Sequence, residues 1–196
     1  NSPAYSLAKR HYELAGQRDP SFKMHLLGLI HLNCQAGTPV ELSWIVELQR
    51  RLRDTPFSPG DRTLLYALKE MTIAGSICLG RSDVDWIFAA ALANSSVSLG
   101  ARAALYSWYS DYLWLHEKDL AAAFAALGHS LSLVPWNSSN RLKLAQLRVL
   151  EGDLTQAREL LSELRGERLS MEEQKTRDEL LESLGMVDGK PALKIH

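Results

Sequence analysis

Residues 116–137 read "HEKDLAAAFAALGHSLSLVPWN", and 34 residues after its start the chain reads "LEGDLTQARELLSELRGERLS" (150–170). At that shift Lys118-Asp119-Leu120 and Ala123 align with Gly152-Asp153-Leu154 and Ala157, and Leu127 aligns with Leu161. Within the earlier copy Leu120, Ala123, Phe124, Leu127 and Leu131 fall at i, i+3, i+4, i+7 and i+11, one stripe of an α-helix. Such a helix must bury one side, and the alanines on that side leave room for a neighbour to come close.

Working outward, apolar residues keep returning at three- and four-residue intervals, while period-two alternation is nearly absent, so the chain is expected to be all-α. Ser2 before Pro3 and Ser58 before Pro59 have the form of an N-cap followed by an N1 proline. "SDVD" from Ser82 and "SMEE" from Ser170 are capping-box patterns. Between these signals the reading gives ten helices: 3–17, 21–36, 39–54, 59–77, 83–94, 98–116, 118–132, 138–151, 153–166 and 170–184. The turns between them are short, so successive helices should run antiparallel.

The repeated spacing resembles the tetratricopeptide repeat family, whose 34-residue unit is an antiparallel helix pair with a Gly-Asp turn, an early small residue in the second helix and a closing proline. In the unit 104–137, Ala123 is the small residue and Pro135 the closing proline; in 138–171, Gly152-Asp153 is the turn and Ala157 the small residue. "YELAGQRDP" (Tyr12 to Pro20) looks like the end of another unit, and the one that follows from Lys23 turns at Gly37. There are departures: Thr38 stands where the turn aspartate would be, Arg148 takes a position usually aromatic, and residues 57–103 keep a loose helix-pair pattern without a closing proline. The resemblance implies one right-handed superhelix of stacked helix pairs over residues 1–186, closed by a capping helix at 170–184 and followed by a tail at 187–196. In that reading the chain opens on the second helix of a pair, which, with the start Asn1-Ser2-Pro3, points to a piece of a longer protein.

The 22 basic and 23 acidic residues nearly cancel, so nucleic acid is not an expected partner. Apolar runs such as "WIFAAALA" from Trp86 fall well short of the ~20 residues that cross a bilayer, and no membrane span or signal peptide is read. Cys34 and Cys78 are too few for a disulfide framework or a zinc site; two buried free thiols are expected, with one bridge the alternative in an oxidising compartment. Catalytic patterns are missing: His25 and His31 point to different sides of a helix, and no phosphate-loop glycine pattern occurs. The reading is of a non-catalytic scaffold with no cofactor and no metal.

A stacked array of this kind leaves a concave surface lined by first helices, where a protein or peptide partner would sit. Carried over from the family, the groove positions are Met24, Leu27 and His31; Leu105, Trp108, Tyr112 and His116; and Leu142, Gln146 and Val149. Trp108, Tyr112 and Trp114 are the aromatic candidates for anchoring a partner, with packing as the competing role. The lysines and asparagines of the family's clamp for a terminal carboxylate are replaced by Leu27, Trp108, Leu142, His31, Tyr112 and Gln146, so that clamp is not expected. The charge run "RGERLSMEEQKTRDELLES" reads as a solvated cap. A second resemblance, over residues 106–153, is to the repeat-type periplasmic tail of bacterial O-antigen polymerases and ligases and related O-linked glycosyltransferases. It implies a periplasmic domain that assists glycan transfer by a membrane-embedded part of the same chain; the alternative location is the cytoplasm.

Overall fold

A computed structural model describes residues 3–19, 23–57, 61–73, 78–164, 166–187 and 190–191. Among the described residues there are ten helices: α1 (Pro3–Arg18), α2 (Met24–Gln35), α3 (Leu42–Asp54), α4 (Asp61–Ile73), α5 (Arg81–Ala93), α6 (Leu99–Leu115), α7 (Leu120–Leu133), α8 (Ser138–Glu151), α9 (Leu154–Glu163) and α10 (Met171–Ser183). The one extended feature among the described residues is a two-residue antiparallel pairing, β1 (Met186–Val187) with β2 (Lys190–Pro191). The fold is an all-α helical repeat of tetratricopeptide type, with each helix close to its expected place.

Capping chemistry explains most of the boundaries. Gly152, the αL residue that ends α8 at φ 88°, is followed by Asp153, whose side chain accepts from the Gln156 amide to open α9. One repeat earlier Asp119 caps α7 in the same way, accepting from Ala122 N. The position before it is Lys118, which adopts φ 56°, a conformation that costs a side chain what it does not cost glycine. At Ser170 both hydrogen bonds of the capping box form.

Two of the starts that differ from expectation have a local cause. α3 begins at Leu42, not at 39, because Thr38–Glu41 runs non-helical after the left-handed Gly37, with the Pro39 carbonyl accepting from Asn33 Nδ2 at 2.9 Å. The N-cap of α5 is Gly80 and not Ser82, which lies inside the first turn, so the expected capping box is not used there. The expected caps at Ser2 and Ser58 lie outside the described residues.

The hairpins stack in chain order. α1 packs on α2, α6 on α7, α7 on α8 and α8 on α9; α4 lies between α2 and α6, α3 lies against α5, and α10 closes on α8 and α9. The α6–α7 and α8–α9 pairs come close because Ala123 and Ala157 face their neighbours with no exposed surface, as the repeat spacing implied. At the α1–α2 crossing two glycines do this work: the His25 ring lies 2.5 Å from where a Cβ on Gly16 would be, and the Tyr12 ring fills the space over Gly28. A continuous core from Leu26 to Leu127 also takes in Leu147, and a second group of Leu142, Ala145, Ala157, Leu161, Leu164, Leu181, Leu184 and Met186 closes the far end.

Contacts along both edges tie neighbouring units. Cys34, at the end of α2, and Cys78, before α5, form a disulfide with a Cα separation of 5.1 Å, which corrects the expectation of two free thiols. Their sequence separation of 44 amounts to about one layer of the stack, so both sit at the turns of consecutive helix pairs. Along the same edge Arg81 Nη1 donates to Asp119 Oδ2 at 2.9 Å. On the other edge buried Asn94 donates through Nδ2 to the Leu52 and Thr55 carbonyls, at 2.7 and 2.9 Å, closing the end of α3 onto the α5–α6 turn.

Candidate partner-binding groove

The first helices of consecutive pairs, α4, α6 and α8, carry three stripes that meet side by side. Tyr66 and Lys69 are three residues apart on α4. Trp108, Asp111 and Leu115 fall at i, i+3 and i+7 on α6, as do Lys143, Gln146 and Leu150 on α8. The stripes touch at two places. The Tyr66 ring, 60% exposed, lies 5.6 Å from the Trp108 ring, forming an aromatic shelf across α4 and α6. Lys143 Nζ donates to Asp111 Oδ2 and, at 2.9 Å, to Ser107 Oγ, joining α6 to α8.

The floor beneath the Asp111–Lys143 pair is polar and fully hydrogen-bonded. Ser107 Oγ donates to Asn140 Oδ1 at 2.7 Å, Asn140 Nδ2 donates to Ser130 Oγ at 2.7 Å, and Ser130 Oγ donates to the Ala103 carbonyl at 2.6 Å. These three side chains are buried, so the network fixes the register of α6, α7 and α8 at low dielectric. Burial pushes the Asp111 carboxyl above its usual range, while Lys143 and, from α4, Lys69 pull it down. A carboxylate flanked by lysines of both adjacent units is thus the electrostatic centre of this face.

The expected groove residues divide. Trp108 and Gln146 lie on these stripes and are half-buried. Met24, His31 and Val149 are half-buried, Met24 and Val149 against the core, and His116 is exposed beside the Tyr112 ring. Four are corrected: Leu27 at 1%, Leu105 at 0%, Leu142 at 3% and Tyr112 at 5% exposure belong to the core and cannot touch a partner in this conformation. The physical reason is that neighbouring units close over both flanks of each first helix, leaving only its narrow outermost stripe. Tyr112 faces the edge, where its hydroxyl donates to Glu117 Oε1 at 2.6 Å; burial and that hydrogen bond push its phenol above the ordinary tyrosine range. Trp114 packs against the core.

Tyr66, Lys69, Asp111 and Lys143 were not among the expected residues. The available signal was an acid on one first helix and a base 32 residues on, close to one repeat length. Among the described residues no group of three or more His, Cys, Asp or Glu could hold a metal ion, and no helix is long and apolar enough to cross a membrane.

Comparison with known families places a tetratricopeptide repeat over residues 115–169, about a quarter of the chain, from the last residue of α6 to the residue before the α10 cap. No curated protein and no solved structure matches the chain. The segment spanning α7, α8 and α9 is thus similar to a tetratricopeptide repeat, within a chain whose described helices form an all-α fold.

Proposed function

We propose that the protein is a non-catalytic interaction scaffold whose α4–α6–α8 face holds a peptide segment of another protein. The observation that carries this reading is the Tyr66–Trp108 shelf beside the Asp111–Lys143 pair: an exposed aromatic surface with a fixed charged group next to it, held on three rigid helices. Aromatic anchors that change little on binding lose little conformational entropy, and a neighbouring charge sets orientation. Tetratricopeptide repeats are generally interaction modules, which supports the class of function without naming the partner.

The test is a selection of peptides from a displayed random library against the purified protein. Selected peptides should lose at least ~10-fold in affinity to the Tyr66→Ala/Trp108→Ala variant and keep it for Leu154→Ala, which alters an exposed leucine on a second helix. Equal loss in both variants, or none in the first, contradicts the proposed groove.

The Cys34–Cys78 disulfide favours an oxidising compartment over the reducing cytosol. We therefore propose a periplasmic or otherwise extracytoplasmic location, the setting in which a tail assisting a membrane-embedded glycan polymerase or ligase would work. Thiol trapping in intact cells of the source organism tests it: the cysteines should resist alkylation until a reductant is added.

A further inference from the structure

The Cys34–Cys78 bridge is open to solution. Cys78 is exposed and Cys34 half-buried, and Cys78 also lines a shallow cleft of about 350 Å³ with Thr38, Pro39, Leu42 and Asp83. An exposed disulfide is the kind that thiols open and close in the folded protein, because exchange needs only that a thiolate reach one of the sulfurs. Its place in the stack gives such an exchange something to act on. Cys34 lies in the last turn of α2 and Cys78 shortly after α4, so the bridge ties the far ends of two consecutive first helices. The near end of α4 is pinned by other means. In the chain leading into it, Phe57 N donates to Ser96 Oγ at 2.7 Å, the Thr55 carbonyl accepts from Asn94 Nδ2 at 2.9 Å and the Pro56 carbonyl accepts from Lys23 Nζ at 3.4 Å. Between its ends α4 packs on α2 and α6 and buries Leu64, Leu65 and Leu68, while Tyr66 stands on the outside against Trp108.

We propose that the Cys34–Cys78 disulfide is a redox latch on the peptide groove, closed when oxidised and opened by a dithiol. The proposal rests on the α4–α6–α8 groove described above and adds its regulation. A thiolate of the dithiol attacks the exposed Cys78 Sγ, forming a mixed disulfide and releasing Cys34 as a thiolate that takes up a proton. The second thiol of the dithiol then displaces Cys78 as a thiol. Two electrons and two protons pass to the protein, and the dithiol leaves as its own disulfide. With the latch open α4 keeps its buried leucines and its pinned start, so it stays folded, but its far end is free to swing. Tyr66 then parts from Trp108, and the aromatic shelf that holds the peptide is lost.

Dithiothreitol added to the whole chain under native conditions tests the proposal. Alkylation read by mass spectrometry follows the bridge, circular dichroism the helices, amide exchange α4, and titration with peptides selected on the oxidised protein the groove. Both cysteines should become alkylated at unchanged helicity, exchange in α4 should quicken, and peptide affinity should fall at least ~5-fold and return on reoxidation. Cys34→Ser/Cys78→Ser should match the reduced protein and ignore the reductant. By linkage, saturating peptide should make the bridge harder to reduce by the same factor. A bridge that opens only when the protein unfolds, or equal protection of α4 in the two states, overturns the latch. So does unchanged affinity for peptides that require Tyr66 and Trp108. Peptides indifferent to those two rings refute the groove itself, and its redox control falls with it.

Discussion

Removing the Cys34–Cys78 disulfide should lower stability by ~4 kcal/mol, chiefly by freeing the unfolded chain. The bridge spans a sequence separation of 44 residues. In the chain-entropy treatment a closed loop of that length removes ~13 cal/mol/K from the unfolded ensemble, which is ~4 kcal/mol at room temperature. The folded cost is small, since the bridge sits at the turns, with Cys78 exposed and Cys34 half-exposed, and a Cys34→Ser/Cys78→Ser variant leaves the core residues in place. Guanidinium unfolding of the wild type, the reduced wild type and the double serine variant measures the loss. In a stack each pair contacts mainly its neighbours, so the effect should also be local. Amide exchange should quicken in α2 to α5 and change little in α8 to α10. A loss below ~1 kcal/mol, or faster exchange spread evenly over all ten helices, would refute the reasoning.

Three other substitutions probe the packing, turns and charges. Gly28→Ala sets a methyl against the Tyr12 ring at the α1–α2 crossing and should cost ~1–3 kcal/mol in thermal melts, with part recovered by Tyr12→Leu. Gly152→Ala forces a side chain to φ 88° and should cost ~1–2 kcal/mol, whereas Lys118→Gly at the equivalent turn, φ 56°, should be neutral or stabilising; a reversed order in denaturant titrations counts against the shared turn. The Glu47 carboxyl is held at about 2 by hydrogen bonds from Arg50 and Arg51, partial burial opposing. Its folded value lies below the unfolded one, so its contribution is complete above pH 4.5 and fades as pH falls toward about 2. Glu47→Gln should flatten the acid limb of a stability–pH curve, and an unchanged limb would remove this ion pair from the account.

The fold was legible because it rests on local, periodic information. Leu120, Ala123, Phe124 and Leu127 announce α7 by spacing alone, and Gly152-Asp153 announces a turn because glycine takes the αL exit without steric cost and aspartate caps the next start. The groove was legible in part. All ten expected positions were carried over from the family; Trp108 and Gln146 fall on the outermost stripes, whereas Leu27, Leu105 and Leu142 are buried, since how deeply neighbouring units close over a first helix depends on packing between helices. Tyr66 was hidden for another reason: residues 57–103 lack the closing proline and turn aspartate that would have set the register of α4. The disulfide was misjudged because a 44-residue gap becomes short only once the units stack.

Helix pairs piled in chain order hold the two ends of the array apart, and the distance between those ends tests the stacking most directly. Spin labels at exposed Gln17 in α1 and Glu179 in α10 are separated by four layers of first helices, at 8–10 Å per layer. Double electron–electron resonance should then give a single narrow distribution at ~30–40 Å. A distribution centred below ~20 Å would mean that the ends fold back into a closed bundle, and the stacked array would be wrong.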